Sequence, residues 1–148
     1  MSFARFVALA IICSAVLVGC SITRTVRPIE NASISELCIQ ENKDVLMDGF
    51  LPELQSQIQS HGIMPRVFQG PPPADCKHHL EYVANWRWDL AMYLFFAELR
   101  VYENKNLIGQ AIYDARSGGA SFDKFGSTSE KLKSLTDELF AQHRATKT

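Results

Sequence analysis

From Leu80 to Asp114 the chain alternates apolar and polar residues with a period of two, and that pattern commits the middle of the molecule to antiparallel β-structure. Leu80, Tyr82, Ala84, Trp86 and Trp88 share one face of a strand, opposite Glu81, Val83, Asn85 and Arg87. After a bend at Asp89-Leu90, the stretch from Met92 to Tyr102 sets Tyr93, Phe95, Ala97, Leu99 and Val101 on one face. Its other face is apolar at Met92, Leu94 and Phe96 and polar at Glu98 and Arg100. Glu103-Asn104-Lys105-Asn106 has the composition of a hairpin turn, and Leu107 to Asp114 returns as the partner strand.

Around this block the period changes. Glu36 to Glu41 reads as a short strand with Leu37 and Ile39 on one face. Met47, Leu51, Leu54 and Ile58 recur at helical spacing, with Asp48 as N-cap, Pro52 in the first turn and Gly62 as the stop. Met64 to Gln69 is a second short strand, ended by Gly70-Pro71-Pro72-Pro73. A glycine- and serine-rich loop, Ser117 to Ser121, precedes a last helix with Ser127 and Glu130 as a capping box and Leu132, Leu135 and Leu139 as its apolar stripe. The order β-α-β-β-β-β-α predicts an α+β two-layer sandwich: a mainly antiparallel sheet of about five strands with two helices on one face.

The first residues carry a different signal. Met1 to Gly19 has one early positive charge, Arg5, and then an uncharged run from Phe6 to Val18. The run is shorter than the ~20 residues a membrane-spanning helix requires, so it reads as an export signal. It ends in Leu17-Val18-Gly19-Cys20, which resembles the lipobox of bacterial lipoproteins. That resemblance implies lipidation at Cys20, cleavage before it, and a membrane partner held through the N-terminal lipid. Ser21, where aspartate would signal inner-membrane retention, implies delivery to the outer membrane, facing the periplasm; the inner membrane is the alternative. The expected organisation is a signal peptide at 1–19, a lipidated N-terminus and tether at 20–34, and one periplasmic domain at 35–148.

Of four cysteines, Cys13 leaves with the signal and Cys20 takes lipid. Cys38 and Cys76 remain, either as two thiols or, in an oxidising compartment, as a disulfide. A bridge there closes a loop of nearly forty residues, worth roughly 4 kcal/mol by the loop-entropy model.

The chemistry-bearing groups are sparse. Net charge is −1 over 148 residues, so no global field points to nucleic acid. Asp75-Cys76-Lys77-His78-His79 is the densest set of ligand-type residues, but adjacent histidines on a strand face opposite ways, so no metal or cofactor is expected there. Gly-x-Ser-x-Gly and phosphate-loop patterns are absent from the sequence. The expectation is a protein that is not an enzyme, with catalysis at His78 or His79 as the weakest alternative. Trp86 and Trp88 either fill the core or form an aromatic platform, and Met92, Leu94 and Phe96 either lie under a loop or mark an interface.

The stretches Cys38-Ile39-Gln40-Glu41-Asn42, Ala84-Asn85-Trp86-Arg87-Trp88-Asp89-Leu90-Ala91-Met92-Tyr93 and Leu107-Ile108-Gly109 resemble a family of small, functionally uncharacterised proteobacterial envelope lipoproteins. The resemblance implies an envelope setting and brings no activity or functional residues. The functional expectation is a non-catalytic binding or scaffolding component with a protein partner in the envelope. A carrier of a small amphiphile or glycan, with Trp86, Trp88, Tyr93 and Phe96 lining its groove, is the alternative.

Overall fold

The computed structural model describes residues 22–30, 32–118 and 121–145. The signal segment 1–19, Cys20, Ser21 and Asn31 lie outside the described residues, as do Gly119 and Ala120 of the glycine-rich loop. The elements are β1 (Thr23–Arg27), β2 (Glu36–Gln40), α1 (Phe50–Ser60), β3 (Met64–Phe68), β4 (His78–Asp89), β5 (Ala91–Glu103) and β6 (Asn106–Asp114). A short 3-10 helix (Phe122–Phe125), α2 (Thr128–Leu139) and α3 (Ala141–Ala145) complete the chain.

One six-stranded sheet runs in the order β1-β6-β5-β4-β2-β3. The pairs β1–β6, β6–β5 and β5–β4 are antiparallel, and β2 pairs in parallel with both β4 and β3. The α+β sandwich is therefore observed, with one strand more than the sequence suggested. The hydrophobic core lies between the sheet and α1 and α2, built on Leu37, Ile39, Leu80, Tyr82, Leu99 and Val101 below and Leu54, Ile58, Leu132, Leu135 and Leu139 above.

The local rules explain most boundaries. Ser127 caps α2 by accepting the Glu130 backbone N–H at 3.1 Å. Asn104 and Lys105 both have positive φ, as a two-residue hairpin turn requires. The helix α1 starts at Phe50 rather than near Met47: Gly49, at φ 89°, occupies the cap position expected for Asp48, and Phe50 joins Leu54 and Ile58 on the buried stripe. Gly62, at φ 77°, follows the C-terminal end as expected.

Two expectations are corrected. The segment 20–34 is not simply a tether: Thr23–Arg27 forms the edge strand β1, and Ile29 and Ile34 enter the core. Ile29 N–H donates to the Leu139 carbonyl at 2.9 Å, fastening this segment to the end of α2. An edge strand of Thr, Arg and Val carries no apolar alternation, so its pairing is invisible to a periodicity test. The second correction concerns β5. Asn85 pairs with Phe96 but Trp86 pairs with Leu94, so Phe95 is an extra, bulged residue and the alternation of β5 changes phase there. Leu94 and Met92 therefore share the helix-bearing face with Ala97, Leu99 and Val101, whereas Phe96 faces the other way beside Asn85.

Candidate functional site

The longest strands, β4 and β5, outrun their neighbours. The last pair of β5 with β6 is Phe96–Asp114, and β2 pairs with β4 only at Cys38–His79 and Ile39–Leu80. From Trp86 to Phe95 the hairpin is a two-stranded ribbon standing beyond the sheet. Its base is firm. Trp86 sets its ring edge-on to Phe50 at 5.4 Å, and Leu94 beneath it is fully buried.

Its other side is braced by the 3-10 helix. Tyr93 packs edge-on to Phe125 at 5.7 Å and to Phe95 at 6.3 Å, and the Arg87 guanidinium lies 4.1 Å above the Phe95 ring. Buried Lys124 reaches Asp89 with Nζ 2.6 Å from Oδ2.

The tip itself is apolar and open to solvent: Trp88 is 69% exposed, Leu90 83% and Met92 56%. Six of the eight large apolar side chains found exposed among the described residues belong to this end of the molecule. Leu46 and Met47 come from the loop after β2, which runs parallel to β4, and Phe122 precedes Lys124 in the 3-10 helix. Met64 and Val67, on the other sheet edge, are the remaining two. Monomeric proteins avoid such concentration because exposed apolar area costs free energy in water, so a gathered cluster marks a contact surface.

Beside the tip, an open groove of about 390 Å³ is lined by Met47, Gly49, Phe50, Trp86, Met92 and the rim residue Glu53. Gln57 and Ser129 each donate to Glu53 Oε1 at 2.7 Å and hold its carboxyl below the ordinary range. The Ser129 bond clips α1 to the start of α2 beside the groove, and the Gln57 bond holds the Glu53 carboxyl from within α1.

The five surface candidates thus separate. Trp88 and Met92 are displayed, Trp86 is half-buried in the groove wall, Leu94 is core, and Phe96 lies under the Arg116 guanidinium at 4.7 Å on the opposite face. The sequence reading missed Leu90, Leu46 and Phe122. For Leu90 a signal existed: an apolar residue at a hairpin turn has no core to enter. Of the residues assigned to a carrier groove, Trp86 lines it and Trp88, Tyr93 and Phe96 do not.

Cys38 and Cys76 form a disulfide, with Cα atoms 6.3 Å apart, tying the loop before β4 to the interior strand β2. His79 Nε2 lies 4.0 Å from Glu81 Oε1 and His78 Nε2 lies 3.2 Å from Glu103 Oε1, a carboxylate shared with Lys77 at 2.9 Å, so each histidine meets a carboxylate. His78 and Glu103 are a cross-strand pair on β4 and β5, while His79 turns to stack on Tyr102 at 4.9 Å. The second histidine does not converge on Glu103. Among the described residues no group of three or more His, Cys, Asp or Glu could hold a metal ion, and no helix is long and apolar enough to cross a membrane.

No family model matches the chain, and no curated protein matches it. Solved structures share its fold. The PelC dodecamer from Paraburkholderia phytofirmans is 10% identical with a TM-score of 0.52, the match covering 80% of this chain and 96% of that one. A single-residue variant of that dodecamer is 12% identical with a TM-score of 0.51, covering 82% and 98%. At such identity the likeness is one of fold.

Proposed function

We propose that this chain is a lipoprotein of the bacterial outer membrane, lipidated at Cys20, whose periplasm-facing domain binds or scaffolds within the cell envelope without catalysing a reaction. The observation that carries the reading is the apolar end of the molecule, a surface made for contact. Trp88, Leu90 and Met92 on a braced hairpin are exposed there together with Leu46 from the loop after β2 and Phe122 from the 3-10 helix. The open form of the neighbouring groove favours contact over the enclosure that a carrier needs.

The test places a photo-crosslinking residue at Trp88 in native envelopes, with the exposed turn residue Lys105 as control. Metabolic labelling with palmitate accompanies it, comparing the native chain with Cys20→Ala. Palmitate on the native chain alone, with an envelope adduct at position 88 and none at 105, is the expected result. An unlabelled native chain, or equal adducts at both positions, would overturn the reading.

A second reading, self-assembly into a homo-oligomeric scaffold, is favoured by one observation: the PelC chains that share this fold are dodecamers. The mass of the detergent-extracted chain separates the two, since a monomeric mass removes self-assembly and leaves the contact surface.

A further inference from the structure

We propose that the Trp88–Leu90–Met92 tip is a second membrane anchor, dipping into the same bilayer that holds the N-terminal lipid. The inference rests on the lipidation proposed above and deepens it by naming what the tip touches.

Strand register supplies the geometry. Thr23, Asp114, Phe96 and Asn85 form one row across β1, β6, β5 and β4. β1 runs antiparallel to β6, so the chain upstream of Thr23 leaves that row on the side where β6 ends. β6 is antiparallel to β5, and β5 to β4, so residues 86–95 leave the row on that same side. The hairpin tip and Ile22, the described residue that precedes β1, therefore lie beyond the same end of the sheet.

The lengths agree with a shared bilayer. Cys20 is three residues before Thr23, and three residues of chain reach at most ~10 Å. Leu90 is five residues beyond Asn85, which at ~3.3 Å per residue carries the tip ~16 Å past the row. With the segment between Cys20 and Thr23 at full reach and a lipidated Cys20 at the headgroup boundary, the tip extends ~6 Å deeper, within the ~5–10 Å that interfacial apolar faces penetrate.

The chemistry agrees as well. Tryptophan settles at the membrane interface, where its ring is solvated by acyl chains and its N–H by water, and Leu90 and Met92 supply apolar bulk. The one acid between Trp86 and Phe95 is Asp89, and Lys124 at 2.6 Å offsets its charge. Phe122, two residues before Lys124, adds a further exposed ring on this end. A second copy of the chain would cover the tip equally well sterically, but it would have to do so on the side facing the bilayer.

The experiment uses the full lipidated chain. Trp86→Phe leaves Trp88 as the sole tryptophan of the two, and Trp88→Phe leaves Trp86 as the groove control. Each is reconstituted in vesicles of phosphatidylethanolamine and phosphatidylglycerol with brominated acyl chains. Trp88 emission shifts to shorter wavelength and is quenched by the bromolipids, and Trp86 emission is quenched far less. Chain that carries palmitate and floats with the vesicles while Trp88 stays unquenched overturns the inference and leaves the lipoprotein reading intact. Chain that carries no palmitate overturns both. A photo-crosslinker at position 88 that couples to another copy instead of lipid assigns the tip to self-assembly and overturns the inference.

Discussion

Trp88 stands directly opposite Met92 across the β4–β5 hairpin, on one face, with Leu90 at the turn between them in a left-handed conformation at φ 61°. A branched residue in that region is strained by roughly 1–2 kcal/mol because Cβ crowds the following carbonyl. Glycine relieves the strain but returns ~0.5–1 kcal/mol through its freer unfolded chain. Leu90→Gly is therefore expected to raise the urea midpoint by a small margin, under about 1 kcal/mol, while weakening vesicle association. A stabilised domain with a poorer tip is the signature of a residue kept for contact; a lowered midpoint would show that Leu90 packs.

Gly109 reports on the closure of the fold. It sits on β6 opposite Val101, and a methyl added there would collide with the Ile29 side chain and stand 3.0 Å from Leu139 Cδ1. Gly109→Ala should cost about 1–3 kcal/mol by overpacking. Gly126→Ala, whose methyl would meet Asp123 O at 3.5 Å and Lys131 Cε at 3.8 Å, should change stability by less than about 0.5 kcal/mol. Equal effects in denaturant unfolding would argue that the Ile29 segment is not docked.

The disulfide spans 38 positions. Replacing both cysteines, Cys38→Ala with Cys76→Ala, should lower stability by ~4 kcal/mol if loop entropy dominates. The same loss should appear in the native chain on reduction. An oxidised and a reduced chain that unfold at one urea concentration would contradict this.

His79 supplies the pH dependence. Burial pushes its pKa below the ordinary 6.5, and the nearby Glu81 carboxylate offsets only part of that. The unfolded chain then binds a proton near pH 6.5 that the folded chain resists, so this group leaves stability unaffected above that pH. Stability falls as the pH drops below it, until the folded imidazole also protonates. His79→Gln should lose the Tyr102 stack, lowering stability overall, and yet flatten the decline between about pH 8 and pH 5. Urea midpoints across that range decide it; an unchanged slope would place the titration elsewhere.

How far the site could be read from residues alone is clearest along β4 and β5. The alternation from Leu80 to Trp88 gave the correct face for every residue, because a regular strand has a period of two. Past Phe96 the same rule put Leu94 on the wrong face, since a single bulged residue at Phe95 inverts everything beyond it and leaves no mark in composition. β1 was missed for a related reason: its stability comes from backbone hydrogen bonds to β6, which Thr-Arg-Thr-Val-Arg can make as well as any sequence.

The sequence by itself determined the α+β class, the presence of two helices, the stripe and capping of α2, the β5–β6 turn and the candidacy of Cys38 and Cys76 as a pair. All of these follow from period, local turn chemistry or counting, which act between residues near in the chain. Only the tertiary structure decided that the N-terminal segment adds an edge strand to the sheet, that Leu94 is core while Trp88 is displayed, and that Leu46, Met47 and Phe122 lie at the same end of the molecule as the tip. Those facts depend on strand order and register, set by packing between residues tens of positions apart, and no local pattern encodes a distance across a sheet.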